Sequence, residues 1–428
     1  MNHIVQEFGL AGGAKGLVVS LCGSGVVNLV ARFNSGFQFA PHEVYEVPHV
    51  MEHLLANSSK KYSKVNELHI ELMKNGAYAN ASTSSVANAY VTEFAAFELD
   101  RIMDLVEEQL ADPLIEQQQL TADIGNVREE LSRNITQHAS VCAIQIGEAA
   151  FPELIMNYEK RISQLPEITV AKARDHYVQT HTAGNARFFV AGDFDDGGTA
   201  IAKRLDRIAA RLPKGERLTP RRAIGLNIPE PIVTQRDIAQ IYYQVQMYFG
   251  ELDMAERRAL WLWRMIETGG FGSRILGPAR AKGWAYHVGG YTQSEPGKSL
   301  FGVQGFVTPG NAGSLFGLIA QELAAVREHP VSQSELEAAK DLLVGSIRRT
   351  MQTAGDYLDW YLPLYEENGE ILDFEQTLSA VRSVRAGEIQ AVAQKAAASG
   401  RSGISFVGPV DDKLAGEYAA ILAPIQNK

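Results

Sequence analysis

The chain has 428 residues, 46% of them hydrophobic and 21% charged, with a formal net charge of -10. That length is too great for one ordinary core and points to about two domains, in a globular rather than a disordered composition. The acidic balance speaks against a nucleic-acid binder, which needs a basic face to displace counterions, and two cysteines, Cys22 and Cys142, can build neither a disulfide framework nor a four-thiolate zinc site.

No basic segment followed by an apolar run opens the chain, and no apolar stretch reaches the ~18 residues of a membrane span. The expectation is a soluble, cytoplasmic protein with no membrane partner. Residues 17–33 are β-branched and bracketed by Gly16, Gly23, Gly25 and Gly36, which predicts strands joined by a tight turn. Pro48-His49-Val50-Met51-Glu52-His53 follows, running on into Leu54, Leu55 and Ala56. On a helix His49 and His53 stand one turn apart on one face and can offer two imidazole nitrogens to one metal ion. Glu52 beside them completes H-x-x-E-H, the inverse of the commoner zinc-protease order. Two neutral imidazoles suit zinc, and a carboxylate that is not a ligand suits proton abstraction from a water. Pro48 is at home in a first helical turn.

Ser58-Ser59-Lys60-Lys61 breaks that helix, and Ser63 reads as the N-cap of another ending at Asn75-Gly76. Ala77–Thr83 and Val86–Phe94 read as an antiparallel strand pair, before helices over about 97–111 and 116–138 divided by Asp112-Pro113. In the second of these, Leu120, Ile124, Val127, Leu131 and Ile135 form one apolar stripe. Glu130 borders it, Glu129 turns outward, and Asp123 lies two turns before Glu130 on nearly the same face. An acidic pair beside a buried stripe suits a cation, but a glutamate on a long helix is ordinarily a solvated edge. The helix alone leaves both readings open.

Further helices over 142–180, a strand at Arg187–Ala191 and a helix to Leu212 close this half. Pro213-Lys214-Gly215-Glu216-Arg217 and Pro220-Arg221-Arg222 read as a linker. Beyond it come a strand at Ile241–Phe249, a helix at Met254–Thr268, strands at Trp284–Tyr291 and Leu300–Val307, helices from about 312 to 352, and a strand at 403–407 whose Gly-Pro-Val-Asp exit echoes Phe188–Asp195. The order implies an α+β fold of two internally duplicated halves, each an antiparallel-rich sheet packed with helices. We assign 1–212 to an N-terminal zinc-binding catalytic domain, 213–230 to a linker, and 231–428 to a C-terminal domain without the metal motif.

Glu130 follows His53 by 77 residues, in an Arg-Glu-Glu-Leu setting. With H-x-x-E-H this closely resembles the inverzincin zinc peptidases, the family of pitrilysin, the insulin-degrading enzyme and the mitochondrial processing peptidase, in its branch of single subunits that pair. The resemblance runs nearly end to end. Gly76 to Thr83 is similar to the family's substrate-binding edge strand, implying substrate contacts at Asn80, Ala81 and Thr83. Ser273-Arg274-Ile275-Leu276 through Arg280-Ala281-Lys282-Gly283-Trp284-Ala285-Tyr286 is similar to its S-R-L... R-E-K-G-L-A-Y segment.

Carried over, the resemblance implies that His49, His53 and Glu130 are ligands of one Zn²⁺ per chain, Glu52 the general base, and Asp123 a carboxylate supporting the ligands. Arg280 and Tyr286 are the implied donors to a carbonyl becoming an oxyanion. It further implies a zinc-dependent endopeptidase acting on peptides or unfolded segments in a chamber formed by two subunits, as a homodimer or with a paralogue. The alternative is a non-catalytic structural or peptide-binding subunit of the same fold. Leu54 to Ser59 departs from the family's Met-Leu-Phe-Lys-Gly-Thr, which bears on cleavage preference. His42-Glu43 lacks the second histidine of an H-E-x-x-H, and His69, His138, His176 and His181 have no spaced partners and read as structural. Gly269 to Gly272 is not followed by the Lys-Ser/Thr of a phosphate loop, and neither cysteine has an activating context.

Overall fold

The computed structural model describes residues 3–295 and 297–426. It resolves into two compact units: Met1–Ser132 with Tyr158–Arg221 and Thr350–Leu372, and Arg133–Asn157 with Arg222–Arg349 and Asp373–Lys428.

In the first unit, six β-rich runs become β1 (His3–Gly9), β2 (Lys15–Leu21), β3 (Val26–Phe33), β4 (Tyr78–Thr83), β5 (Asn88–Ala95) and β6 (Ala186–Gly192), in the order β1-β2-β6-β3-β5-β4. The second has β7 (Ile232–Gln235), β8 (Ile241–Phe249), β9 (Val288–Glu295), β10 (Lys298–Val307) and β11 (Ser402–Gly408), in the order β7-β11-β8-β10-β9. Leaving aside β1, the two orders coincide. In each unit a late strand lies between an early one, to which it runs parallel, and the central strand, to which it runs antiparallel, with a hairpin completing the sheet. The duplicated α+β architecture expected from the sequence is therefore present. Registers match as well: Val30 of β3 faces Val91 and Phe189, and Val245 of β8 faces Val303 and Ile404. A slip of one residue would turn these side chains to the wrong face.

The first unit's core lies where the helix Val47–Asn57 (α1) buries Val47, Val50, Met51, Leu54 and Leu55 with Leu29, Phe33, Tyr90 and Phe188 of the sheet. Each such leucine removed from water contributes about 1.5–3 kcal/mol, so the motif helix is held on nearly every side. The helix Gln117–Thr136 (α2) adds Leu120, Val127 and Leu131 to the same core.

The units do not simply follow the chain's two halves. The helix His138–Ala150 (α3) packs with the second sheet, where Gln145 Nε2 donates to Ser405 Oγ (2.7 Å) and Phe406 O (3.1 Å), and Ile146 and Ala150 join Ile228, Tyr248 and Leu300. The helix Ala354–Asn368 (α4) packs with the first sheet, where Glu366 takes ion pairs from Arg32 (3.2 Å) and Arg217 (2.7 Å). Residues 213–231 carry no regular structure until β7 begins at Ile232, and one of the five points at which the chain passes between units, Arg221 to Arg222, falls within them.

Several element edges differ from expectation. β1 was not foreseen. Ser63 is not an N-cap: the helix Glu67–Met73 starts after Asn66, which stands at φ 62° and whose side chain makes no capping hydrogen bond, and Ser63 O instead receives Gln119 Nε2 at 3.0 Å. Trp284 does not begin a strand, because its N–H closes the preceding helix on Ala279 O at 2.9 Å, and the ladder starts only at Val288.

Candidate metal centre

The one-turn spacing on α1 places the rings of His49 and His53 with centroids 5.1 Å apart. Across from them α2 presents Glu130 from the border of its apolar stripe, with Glu129 exposed beside it. Glu130 Oε2 stands 3.4 Å from His49 Nε2 and 3.8 Å from His53 Nε2. All three donor atoms lie within 4.8 Å of one another. Metal bonds of about 2.0–2.2 Å at tetrahedral angles put ligand atoms roughly 3.3–3.6 Å apart, so two imidazole nitrogens and one carboxylate at these spacings fit a single zinc-sized ion.

Electrostatics agree with the geometry. Burial opposes charge on the His49 ring, yet the Glu130 and Glu46 carboxylates reverse this and raise it to about 9. A proton and a metal ion compete for the same Nε2 lone pair, so the feature that holds one would hold the other. Burial and the neighbouring charge of His49 lower His53.

Glu52 is buried on α1 and pushed upward chiefly by that burial, against the hydrogen bond from Thr83 Oγ1 to its Oε2 at 2.6 Å. Asn88 Nδ2 donates to Thr83 Oγ1 at 2.7 Å and to Pro48 O at 3.1 Å, and Ser35 Oγ donates to Asn88 Oδ1 at 2.6 Å. Asp123 is buried and raised by burial, near enough to His53 for each to bias the other, and accepts from Asn57 Nδ2 at 2.9 Å.

Asn80, Ala81 and Thr83 lie on β4, the terminal strand of its sheet, paired on one side with β5. Asn80 is exposed, Ala81 and Thr83 half-buried. Arg280 and Tyr286 belong to the second unit, where they are neighbours: Arg280 Nη1 donates to Tyr286 O at 2.7 Å and the guanidinium stands 4.3 Å from the Tyr286 ring, which is 75% exposed.

Sequence reasoning missed two residues. Glu46, wholly buried, accepts from His49 Nδ1 at 3.0 Å and from Arg161 Nε. Burial would raise its carboxyl, but the His49 hydrogen bond and the Arg161 charge hold it below the usual range. The three-residue step from Glu46 to His49 was a visible signal. Nothing near Arg161 in sequence points to it.

Two family profiles match successive stretches of the chain. The family profile Insulinase (Peptidase family M16) matches residues 26–156, and the profile Peptidase M16 inactive domain matches 167–343. An uncharacterised zinc protease of Streptomyces coelicolor is 24% identical over 383 residues, covering 86% of this chain and 81% of its own. Among solved structures, a protease from Helicobacter pylori superposes with a TM-score of 0.85 at 15% identity, covering 96% of this chain and all of its own. A chain of Complex III2 from Candida albicans does so with a TM-score of 0.82 at 13% identity, covering 99% and 100%. These structural likenesses establish the shared fold.

Proposed function

The chain belongs to the M16, or insulinase, family of peptidases, and on that premise we propose that it is a zinc-dependent endopeptidase cleaving peptides or unfolded segments in a chamber formed by two subunits. The observation that carries this reading is the convergence of His49 Nε2, His53 Nε2 and Glu130 Oε2, with Glu52 next to His53 on the same helix. Zinc bound there supplies Lewis-acid polarisation of a carbonyl and an acidified water.

The protein's own groups do the rest. Glu52 takes a proton from the attacking water at the carboxylate oxygen that Thr83 leaves open, and later hands it to the departing amine. Burial favours that uptake by raising its affinity for the proton. Asp123 adds negative charge beside His53. β4 offers an exposed edge to which an extended peptide adds as a strand, past Asn80, Ala81 and Thr83. Arg280 and Tyr286 are the donors to the developing oxyanion, supplied to each site by the partner subunit in a homodimer or in a pair with a paralogue.

The test is metal analysis with hydrolysis of a quenched peptide. Wild-type protein should hold one zinc per chain and lose activity to a chelator. Glu52→Gln should retain zinc and lose turnover by at least ~100-fold; normal turnover in this variant would sink the mechanism. A second reading, a non-catalytic subunit, draws on the likeness to the Complex III2 chain. It predicts no chelator-sensitive hydrolysis by any pairing of the chain.

A further inference from the structure

Behind His49 the structure buries an ion pair with no evident need of one. Glu46 is 0% exposed and Arg161 8% exposed. The Arg161 guanidinium lies 4.7 Å from the ring centroid of Phe37, 5.6 Å from that of Tyr45 and 5.4 Å from that of Tyr158. Phe37 and Tyr45 are themselves stacked, 4.8 Å apart and 3° from parallel. Taking both charges out of water costs several kcal/mol per ion, and apolar residues of the same shape would commonly serve the fold as well or better. The pair therefore calls for a purpose beyond packing.

The carboxylate divides its oxygens. Oε1 receives Arg161 Nε, and Oε2 faces His49 Nδ1 at 3.0 Å. A neutral imidazole carries one N–H. If Nδ1 holds it and donates to Glu46, Nε2 keeps its lone pair, and Nε2 is the atom 3.4 Å from Glu130. Arg161, gripped by three rings, fixes where the carboxylate stands, and the carboxylate fixes the tautomer and tilt of the ring.

We propose that Glu46, locked in place by Arg161, is a positioning residue for metal ligation, holding His49 so that Nε2 is presented to the ion. This rests on the zinc reading above. The experiment measures zinc affinity by competition with a chromophoric chelator, alongside thermal melting of the zinc-free chains. Glu46→Leu/Arg161→Met removes both charges together, leaving no lone buried ion, and deprives Nδ1 of its acceptor. Its zinc affinity should fall about 10–100-fold while the zinc-free protein melts close to wild type. Should the double variant not fold, Glu46→Gln serves: its amide cannot face both Arg161 and His49 with acceptors, so affinity again falls. A folded variant that binds zinc as tightly as wild type overturns the proposal and leaves the pair a structural element. Wild-type protein that takes up no zinc instead overturns the function on which it rests, and this inference with it.

Discussion

Thr83 Oγ1 lies 2.6 Å from Glu52 Oε2, joining the last residue of the edge strand β4 to the carboxylate on the motif helix. The hydroxyl's direction is set from behind. Asn88 Nδ2 donates into its lone pair at 2.7 Å, so its single proton is left for Glu52. Asn88 is in turn held by Ser35 Oγ and by Pro48 O, the carbonyl of a residue on the motif helix itself. The strand proposed to receive substrate and the proposed base are thus parts of one hydrogen-bonded chain, and a peptide pairing with β4 would meet Glu52 already oriented.

Thr83→Val tests this link, because valine keeps the shape and removes the hydroxyl. A hydrogen bond to a charged group is worth about 1.5–3 kcal/mol, and its loss leaves Glu52 buried without that donor. Turnover should drop by about tenfold or more, with zinc content unchanged, and Thr83→Ser should recover most of it. Steady-state kinetics with metal analysis decides the matter; wild-type turnover in Thr83→Val would show that the hydroxyl does not hold the base.

What could be read from the sequence was local. The helical period alone puts His49 and His53 one turn apart, and the apolar stripe of α2 alone puts Glu130 on its border. Contacts that depend on where distant segments land were out of reach. Arg161 meets Glu46 across 115 residues and Thr83 meets Glu52 across 31, with no periodicity linking either pair. The exchange of α3 and α4 between units was hidden for a related reason. An amphipathic helix announces that it has an apolar face, and the choice of sheet comes from partners such as Ser405 for Gln145, or Arg32 and Arg217 for Glu366. Turn chemistry misled at Ser63, because the chain turns at Asn66 in the left-handed region and the helix starts only after it.

The proposed sharing of sites predicts complementation. Glu52→Gln lacks the base and Arg280→Ala lacks an oxyanion donor, so each variant alone should be nearly inactive. In a mixed dimer one site carries both lesions, and the other combines intact Glu52 with intact Arg280 from the partner. Random re-pairing of equal amounts should recover about a quarter of wild-type activity, half the dimers being mixed with one good site each. Peptide hydrolysis before and after mixing and re-association measures it. No recovery, with mixed dimers confirmed by mass spectrometry, would place both groups in the same subunit's site or remove Arg280 from the chemistry.

Two histidines read as structural predict how the first unit responds to acid. His176 Nε2 lies 3.1 Å from Ser35 O and His181 Nε2 lies 3.0 Å from the Tyr90 hydroxyl, both rings buried. Burial opposes their protonation: His176 is pulled down to about 4, and His181 is held well below its ordinary value by burial and by the charge His176 would carry. In the unfolded chain both take up a proton near the ordinary value of about 6.5. Below that pH the unfolded state binds more protons, so stability falls as pH falls. For His176 the loss begins near pH 6.5, levels off below about pH 4, and amounts to about 3 kcal/mol. Glu267, buried in the second unit and raised by that burial to about 8, acts with the opposite sign, weakening the fold as pH rises from about 4.5 through 8. A comparison with His176→Gln separates the two, since glutamine retains a donor for Ser35 O but cannot be charged. Urea midpoints between pH 7 and pH 4 should decline less steeply in His176→Gln than in wild type. Parallel declines would show that His176 contributes nothing to the acid limb.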